Sequence, residues 1–141
     1  MTSKRSPMLA VANRNAIWVG RKPTCAAGGK HFSSDQVAEG DRIWKSHASW
    51  MESTHYRTGE KGLLSYNVSK GPEYSNPMDL NSAPTGNTCF VLTEIYESKA
   101  GVLDHFEQTM VWKDWPAASE WFGKCKVTFV PAASIFNSLW P

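Results

Sequence analysis

An α+β fold in βαββαβ order is predicted, and three observations predict it. From Glu60 onward the chain reads as strand, hairpin, strand and helix: GLLSYNVSK, a long turn, TCFVLTEIYE, then SKAGVLDHFEQTM. An amphipathic helical segment precedes this block and a closing strand, KVTFV, follows it. The second strand of the hairpin is apolar on both faces, so helices on one face leave another that needs its own cover.

Residues 1–13 carry no pattern and read as a flexible tail before a single domain over 14–141. Ala16-Ile17-Trp18-Val19 is an apolar run ending at Gly20 and reads as the first strand, with a start as early as Leu9 left open. A long loop from Arg21 to Ser33 is marked by Pro23 and Gly28-Gly29. Ser33 and Gln36 form a capping-box pattern, and Asp35 suits the positive end of a helix. At 100° per residue, Gly40, Ile43, Trp44, His47, Trp50 and Met51 share one arc, and Glu39, Arg42, Lys45 and Glu52 lie opposite. Gly59 and Gly62 end this helix.

The second strand is read as Leu63 to Lys70, with Leu64, Tyr66 and Val68 on one face and Leu63, Ser65 and Asn67 on the other. A long connection, Gly71 to Asn87, leads to a third strand from about Thr88 to Glu97. There Phe90, Leu92, Glu94 and Tyr96 alternate with Cys89, Val91, Thr93 and Ile95. Ser98 is a good N-cap for the second helix. Val102, Leu103, Phe106 and Met110 form its expected apolar stripe. Asp114 caps a short continuation that tolerates Pro116 in its first turn. The last strand is Lys126 to Val130, interrupted by Pro131, with a further extended segment from Ser134 to Leu139.

Composition narrows the class. The chain has 141 residues, 41% hydrophobic and 20% charged, with a formal charge of only +2. That charge gives no electrostatic footprint for nucleic acid. No apolar run approaches the ~20 residues that span a bilayer, and no membrane association is expected. The segment MLAVA is too short for a signal-peptide core. Cys25, Cys89 and Cys125 are odd in number and irregularly spaced, and are read as reduced thiols of a cytoplasmic protein. Seven tryptophans are many for this length. They build an aromatic core, or some of them line a pocket or a subunit contact.

Two stretches resemble the dimeric α/β barrel superfamily, and within it the antibiotic-biosynthesis-monooxygenase-like domains. EKGLLSYNV, Glu60 to Val68, is similar to the family's helix end, G-x-L-x-Y strand and hairpin. FVLTEIYESKAGVLDHFEQT, Phe90 to Thr109, is similar to its E-x-[aromatic]-x-S/D … H run, with Glu94, Tyr96, Ser98 and His105 at the matching places. The resemblance implies a ferredoxin-like monomer with a four-stranded antiparallel sheet ordered 4-1-3-2. It also implies a homodimer whose two sheets form an α/β barrel. Members include cofactor-independent oxygenases acting on anthrones and quinols, and haem-degrading enzymes. The haem-degrading branch has a tryptophan where Tyr96 stands and a histidine beyond His105. This chain has neither, so haem degradation is not implied.

In βαββαβ order the loop 21–33, the connection 71–87 and the region from Trp112 to Trp121 all lie at one end of the sheet. Loops well above the usual ~4–6 residues are functional or mobile. They are expected to form a rim or lid over the helix–sheet cleft or a dimer arm, or else to be plain insertions.

His47 and His105 are the candidate catalytic residues, because an imidazole with an ordinary pKa of ~6.5 suits proton transfer near neutrality. His47 is equally read as a core histidine bonded to a neighbour, and His105 as a structural bond to the loop before its helix. Candidate ligand-binding residues are Trp44, Met51, Tyr66, Glu94, Tyr96 and Trp112. Glu94 among apolar neighbours needs a partner or a raised pKa. Cys25 and His31 do not have a trusted metal spacing, and Gly28-Gly29 lacks a phosphate-loop pattern. No metal site and no cofactor are expected. Two functions follow, beside a third in which the chain is a scaffold whose only feature is its dimer. One is a cofactor-independent monooxygenase acting on a small aromatic or quinone-like substrate. The other is a non-catalytic homodimeric protein that binds a hydrophobic metabolite.

Overall fold

The computed structural model describes residues 15–21 (as backbone), 34–137 and 139. The expected tail, the loop residues 22–33 with Cys25 and His31, the Ser33 cap and the early start at Leu9 lie outside the described residues. The elements run β1 (Asn15–Arg21), α1 (Ser34–Thr54), β2 (Leu63–Tyr74), β3 (Pro84–Tyr96), α2 (Lys99–Thr109), α3 (Trp115–Gly123) and β4 (Val127–Ser134). The class is α+β, as the alternating periods predict. The strands pair antiparallel in the order β2-β3-β1-β4.

The helices cover one face of the sheet. Phe90, Leu92, Glu94 and Tyr96 on β3 are buried beneath them, together with Ile43, Trp44 and Met51 of α1, Val102 of α2 and Trp121 of α3. Burial of several such large side chains, each worth about 1.5–3 kcal/mol, makes this interface the main source of stability. Two glycines let helices approach closely. A Cβ at Gly40 would stand 2.4 Å from the Trp121 ring, and one at Gly101 would stand 2.6 Å from the Tyr96 ring.

Gly101 explains a correction to the second helix. Its buried line is Gly101, Val102, His105 and Thr109, whereas Leu103 and Met110 are 52% and 68% exposed. Hydropathy favours the stripe through Leu103 and Met110. The helix instead turns its smallest residue toward the sheet, and positions 101, 105 and 109, four apart, follow it inward. Ser98 caps α2 as expected, accepting from Ala100 N at 3.0 Å. Asp114 precedes α3 but makes no side-chain cap. Its carboxylate is taken by Arg42 at 3.2 Å and by the Ser46 hydroxyl.

Three further differences concern the strands. A register shift between Leu63 and Ser65 adds a residue to β2. Leu63 therefore pairs with Tyr96 and packs on the core, while Leu64 is 42% exposed. The connection read over 71–87 is mostly ribbon, because Pro72 pairs with Thr88 and Tyr74 with Pro84. Its tip is closed by local bonds such as Ser75 N to Ala83 O at 2.9 Å and Asn81 N to Asp79 Oδ1 at 2.9 Å. Finally, β4 runs through Pro131 instead of stopping there. Val130 pairs with Trp18 and Ala133 with Ala16, leaving two β4 residues opposite one of β1, and Ala132 takes φ 53°. A bulge on an edge strand is where a residue without N–H is tolerated. Beyond β4, residues 135–137 have no regular structure. Among the described residues, no helix is long and apolar enough to cross a membrane.

Candidate functional site

Three elements deliver one polar cluster beneath the helices. The inward arc of α1 presents His47, the centre of β3 presents Glu94, and the Gly101-anchored face of α2 presents His105. One ligand-type atom from each lies within 4.8 Å of the others, and all three side chains are buried. Tyr66, paired with Glu94 across the β2–β3 ladder, bonds His47 Nδ1 through its hydroxyl at 2.9 Å. The Tyr96 hydroxyl donates to Glu94 Oε2 at 3.1 Å, and His105 Nδ1 stands 4.0 Å from that same oxygen. His105 Nδ1 is also 3.1 Å from His55 Nε2, and His55 Nδ1 is 3.0 Å from Thr54 Oγ1. Glu94 is 0% exposed, and its Oε1 has no hydrogen-bond partner.

Burial sets the charge states. It pushes the Glu94 carboxyl up to about 8, against the smaller opposing effect of the Tyr96 bond. It pulls both His47 and His105 down to about 3, each further disfavoured from charging by neighbouring imidazoles. His55 shifts down for the same reason, partly offset by Asp104. Tyr66 and Tyr96 are raised by burial and by the nearby carboxyl. At neutral pH the cluster holds neutral imidazoles and a protonated carboxyl. In that state it carries no buried net charge.

A cavity of about 270 Å³ opens beside this cluster. His47 and His105 line it, with Trp44, Trp112, Trp115 and Phe122 among the aromatic walls. Trp50 stacks on Trp112 with ring centroids 5.6 Å apart, holding that wall. The indole N–H groups of Trp44 and Trp112 are both buried without an acceptor. Buried donors without partners are rare in folded proteins and call for an explanation.

The structure sorts the expected site residues into two groups. His47, His105, Trp44 and Trp112 line the cavity. Met51, Tyr66, Glu94 and Tyr96 do not. Glu94, Tyr66 and Tyr96 sit behind the histidines as their supports, and Met51 lies toward a separate groove with Leu63 and Tyr66. None of residues 71–87 lines the cavity, so that connection is no lid over it. The 112–121 region does reach it, through Trp112 and Trp115.

Sequence reasoning missed His55, whose spacing from His47 and Met51 (eight and four residues) places it on the same helical arc. It also missed the β4 wall, Val127 and Phe129. Leu92 and Phe129 both pair with Val19, so strand register puts them in one row. His105 bonds His55 after the first helix, not the loop before its own helix. No family model matches this chain, and neither does any curated protein or solved structure.

Proposed function

We propose that the protein holds a small, flat aromatic or quinone-like molecule in the cavity between helices and sheet. The carrying observation is the aromatic-walled cavity itself, with Trp44, Trp112, Trp115 and Phe122 set around the His47 and His105 imidazoles. A flat ring fits the aromatic walls, and its oxygen substituents find polar partners in the two lining imidazoles. Tryptophan fluorescence titrated with a panel of quinols, quinones and anthrones tests it. Saturable quenching is expected, weakened at least tenfold by Trp112→Phe. A flat response across the panel refutes it.

The second reading is a cofactor-independent monooxygenase, favoured by two imidazoles lining that cavity with a carboxyl behind them. Burial disfavours the charged ring, so an imidazole nitrogen takes the proton of the substrate hydroxyl only because the anion left beside it offsets that cost, and the electron-rich anion reacts with dioxygen. For a ring methylene, one oxygen atom becomes the carbonyl, and the other leaves as water with the two methylene hydrogens. Oxygen uptake with the same panel, lost in His47→Ala and His105→Ala, separates turnover from binding.

A homodimeric α/β barrel with a ferredoxin-like protomer is the assembly we propose. The strand order β2-β3-β1-β4 supports it, as does the half-buried row Cys89, Val91, Thr93 and Ile95 on the sheet face away from the helices. A second copy covers that row. Sedimentation or light scattering tests this, with a monomer as the refuting result.

A further inference from the structure

The His47–Glu94–His105 cluster has a property that the ligand reading leaves unused. We propose that it is a binding site for a divalent first-row transition metal, with two histidines and one carboxylate as protein ligands and the remaining positions facing the aromatic cavity. The inference rests on the cavity reading only for what fills those remaining positions.

Five observations carry it. The donor set is two imidazole nitrogens and one carboxylate oxygen, the combination used by zinc hydrolases and by non-haem ferrous sites. The three ligand atoms come from α1, β3 and α2 and lie within 4.8 Å of one another. Metal–ligand bonds of ~2.0–2.2 Å require spacings of ~3–3.5 Å, so a bound ion would draw the three side chains together. Next, Glu94 Oε1 is a fully buried carboxylate oxygen with no hydrogen-bond partner. A cation is the partner that best repays burying it.

The surroundings of the ligands fit as well. Each ligand histidine has Nδ1 held by a side chain, His47 by Tyr66 at 2.9 Å and His105 by His55 at 3.1 Å. With Nδ1 as the donor, such a bond holds the ring and leaves the other nitrogen's lone pair for an ion, the arrangement of outer partners at metal-bound histidines. Tyr96 positions the carboxylate from its other oxygen, at 3.1 Å. Finally, His47 and His105 line the cavity. An ion held between them has protein on one side and space for a water or substrate oxygen on the other, the open arrangement of catalytic rather than structural metal sites.

The test uses the full-length protein, stripped with a chelator and titrated with Co²⁺ while visible absorption is followed. Binding of one Co²⁺ per chain is expected, with ligand-field bands of a nitrogen–oxygen site and no thiolate charge-transfer band. Zn²⁺ should displace it, and Fe²⁺ should compete only in excess. His47→Ala, Glu94→Gln and His105→Ala should each weaken binding more than tenfold. The supporting changes Tyr66→Phe and His55→Gln should weaken it roughly 10–100-fold without changing the stoichiometry. Melting curves accompany every variant. If Glu94→Gln unfolds early, Tyr66→Phe carries the comparison. No stoichiometric Co²⁺ band, a thiolate band, or unchanged affinity in a folded Glu94→Gln protein overturns the proposal. Quinol quenching without Co²⁺ binding removes the metal site alone. Co²⁺ binding without quenching keeps it and removes the ligand reading.

Discussion

The two faces of β3 start from the same alternating strand and end in different environments. Phe90, Leu92, Glu94 and Tyr96 are buried under three helices, whereas Cys89, Val91, Thr93 and Ile95 are only half-buried. The face with the carboxyl residue is the drier one. Pattern alone gives the reverse ranking, since Val91 and Ile95 are better core residues than Glu94. The difference teaches that burial here is set by what the helices bring down. They bring Tyr96-facing Gly101, His47 and His105, which together accommodate a carboxyl that no hydropathy scale would bury.

Substitutions on the two faces sharpen this contrast. The largest effect is expected from Leu92→Ala on the covered face, which lines the cavity and packs in the core. It should cost about 2–5 kcal/mol in denaturant unfolding. Val91→Ala on the open face should cost clearly less in the isolated chain, and equal losses would break the comparison. Next comes Gly40→Ala, which drives a methyl into the Trp121 ring and should cost about 1–3 kcal/mol by overpacking.

The buried carboxyl makes a pH prediction on metal-stripped protein. Burial raises the folded Glu94 pKa to about 8, above its ordinary value of 4.5. Between those values the folded state binds more protons than the unfolded one, so stability falls as pH rises. His47 and His105 have folded pKa values lowered to about 3 from 6.5, and they remove stability as pH falls below 6.5. The two trends oppose one another between 4.5 and 6.5. Between 6.5 and 8 the Glu94 effect acts without them, with a slope of up to about 1.4 kcal/mol per pH unit. Glu94→Gln should flatten that window in thermal melts, and an unchanged slope would show that Glu94 is not its source. His55, Tyr66 and Tyr96 face the same cluster, and both tyrosines stay neutral throughout this range.

On the open face, Ile95→Lys should leave the folded spectrum intact and convert the proposed dimer to monomer by light scattering. A dimer that survives it places the subunit contact elsewhere. The smallest effect belongs to the exposed clamp between α1 and α3. Asp114 is held below its ordinary pKa mainly by the Ser46 hydroxyl, and also by Arg42. Its contribution is present above the unfolded pKa near 3.8 and is lost as pH falls through the lower folded value. Asp114→Asn should therefore cost only about 0.2–1 kcal/mol at neutral pH, with less at acid pH.

Much of the fold is legible in the chain because its signals are local. The inward arc of α1, the alternation of β3, the Ser98 cap and the place of Pro116 in the first turn of α3 all depend on neighbours within a few residues. The site is less legible. His47, Glu94 and His105 are each readable as odd polar residues on apolar faces, yet nothing in their spacing says that they meet. His55 and the β4 wall went unread because their roles depend on partners 50 residues away or across two strands.

By itself the sequence determined the element order, the α+β class, and which faces of α1 and β3 are apolar, since periodicity and capping are properties of consecutive residues. Tertiary structure decided the rest: the inward face of α2, the bulges at Leu63–Ser65 and Pro131, and the meeting of two histidines with one carboxyl. The physical reason is close packing. Where Gly101 touches Tyr96 and where α1 crosses β3, steric fit outweighs the small hydropathy differences that a one-dimensional reading can weigh.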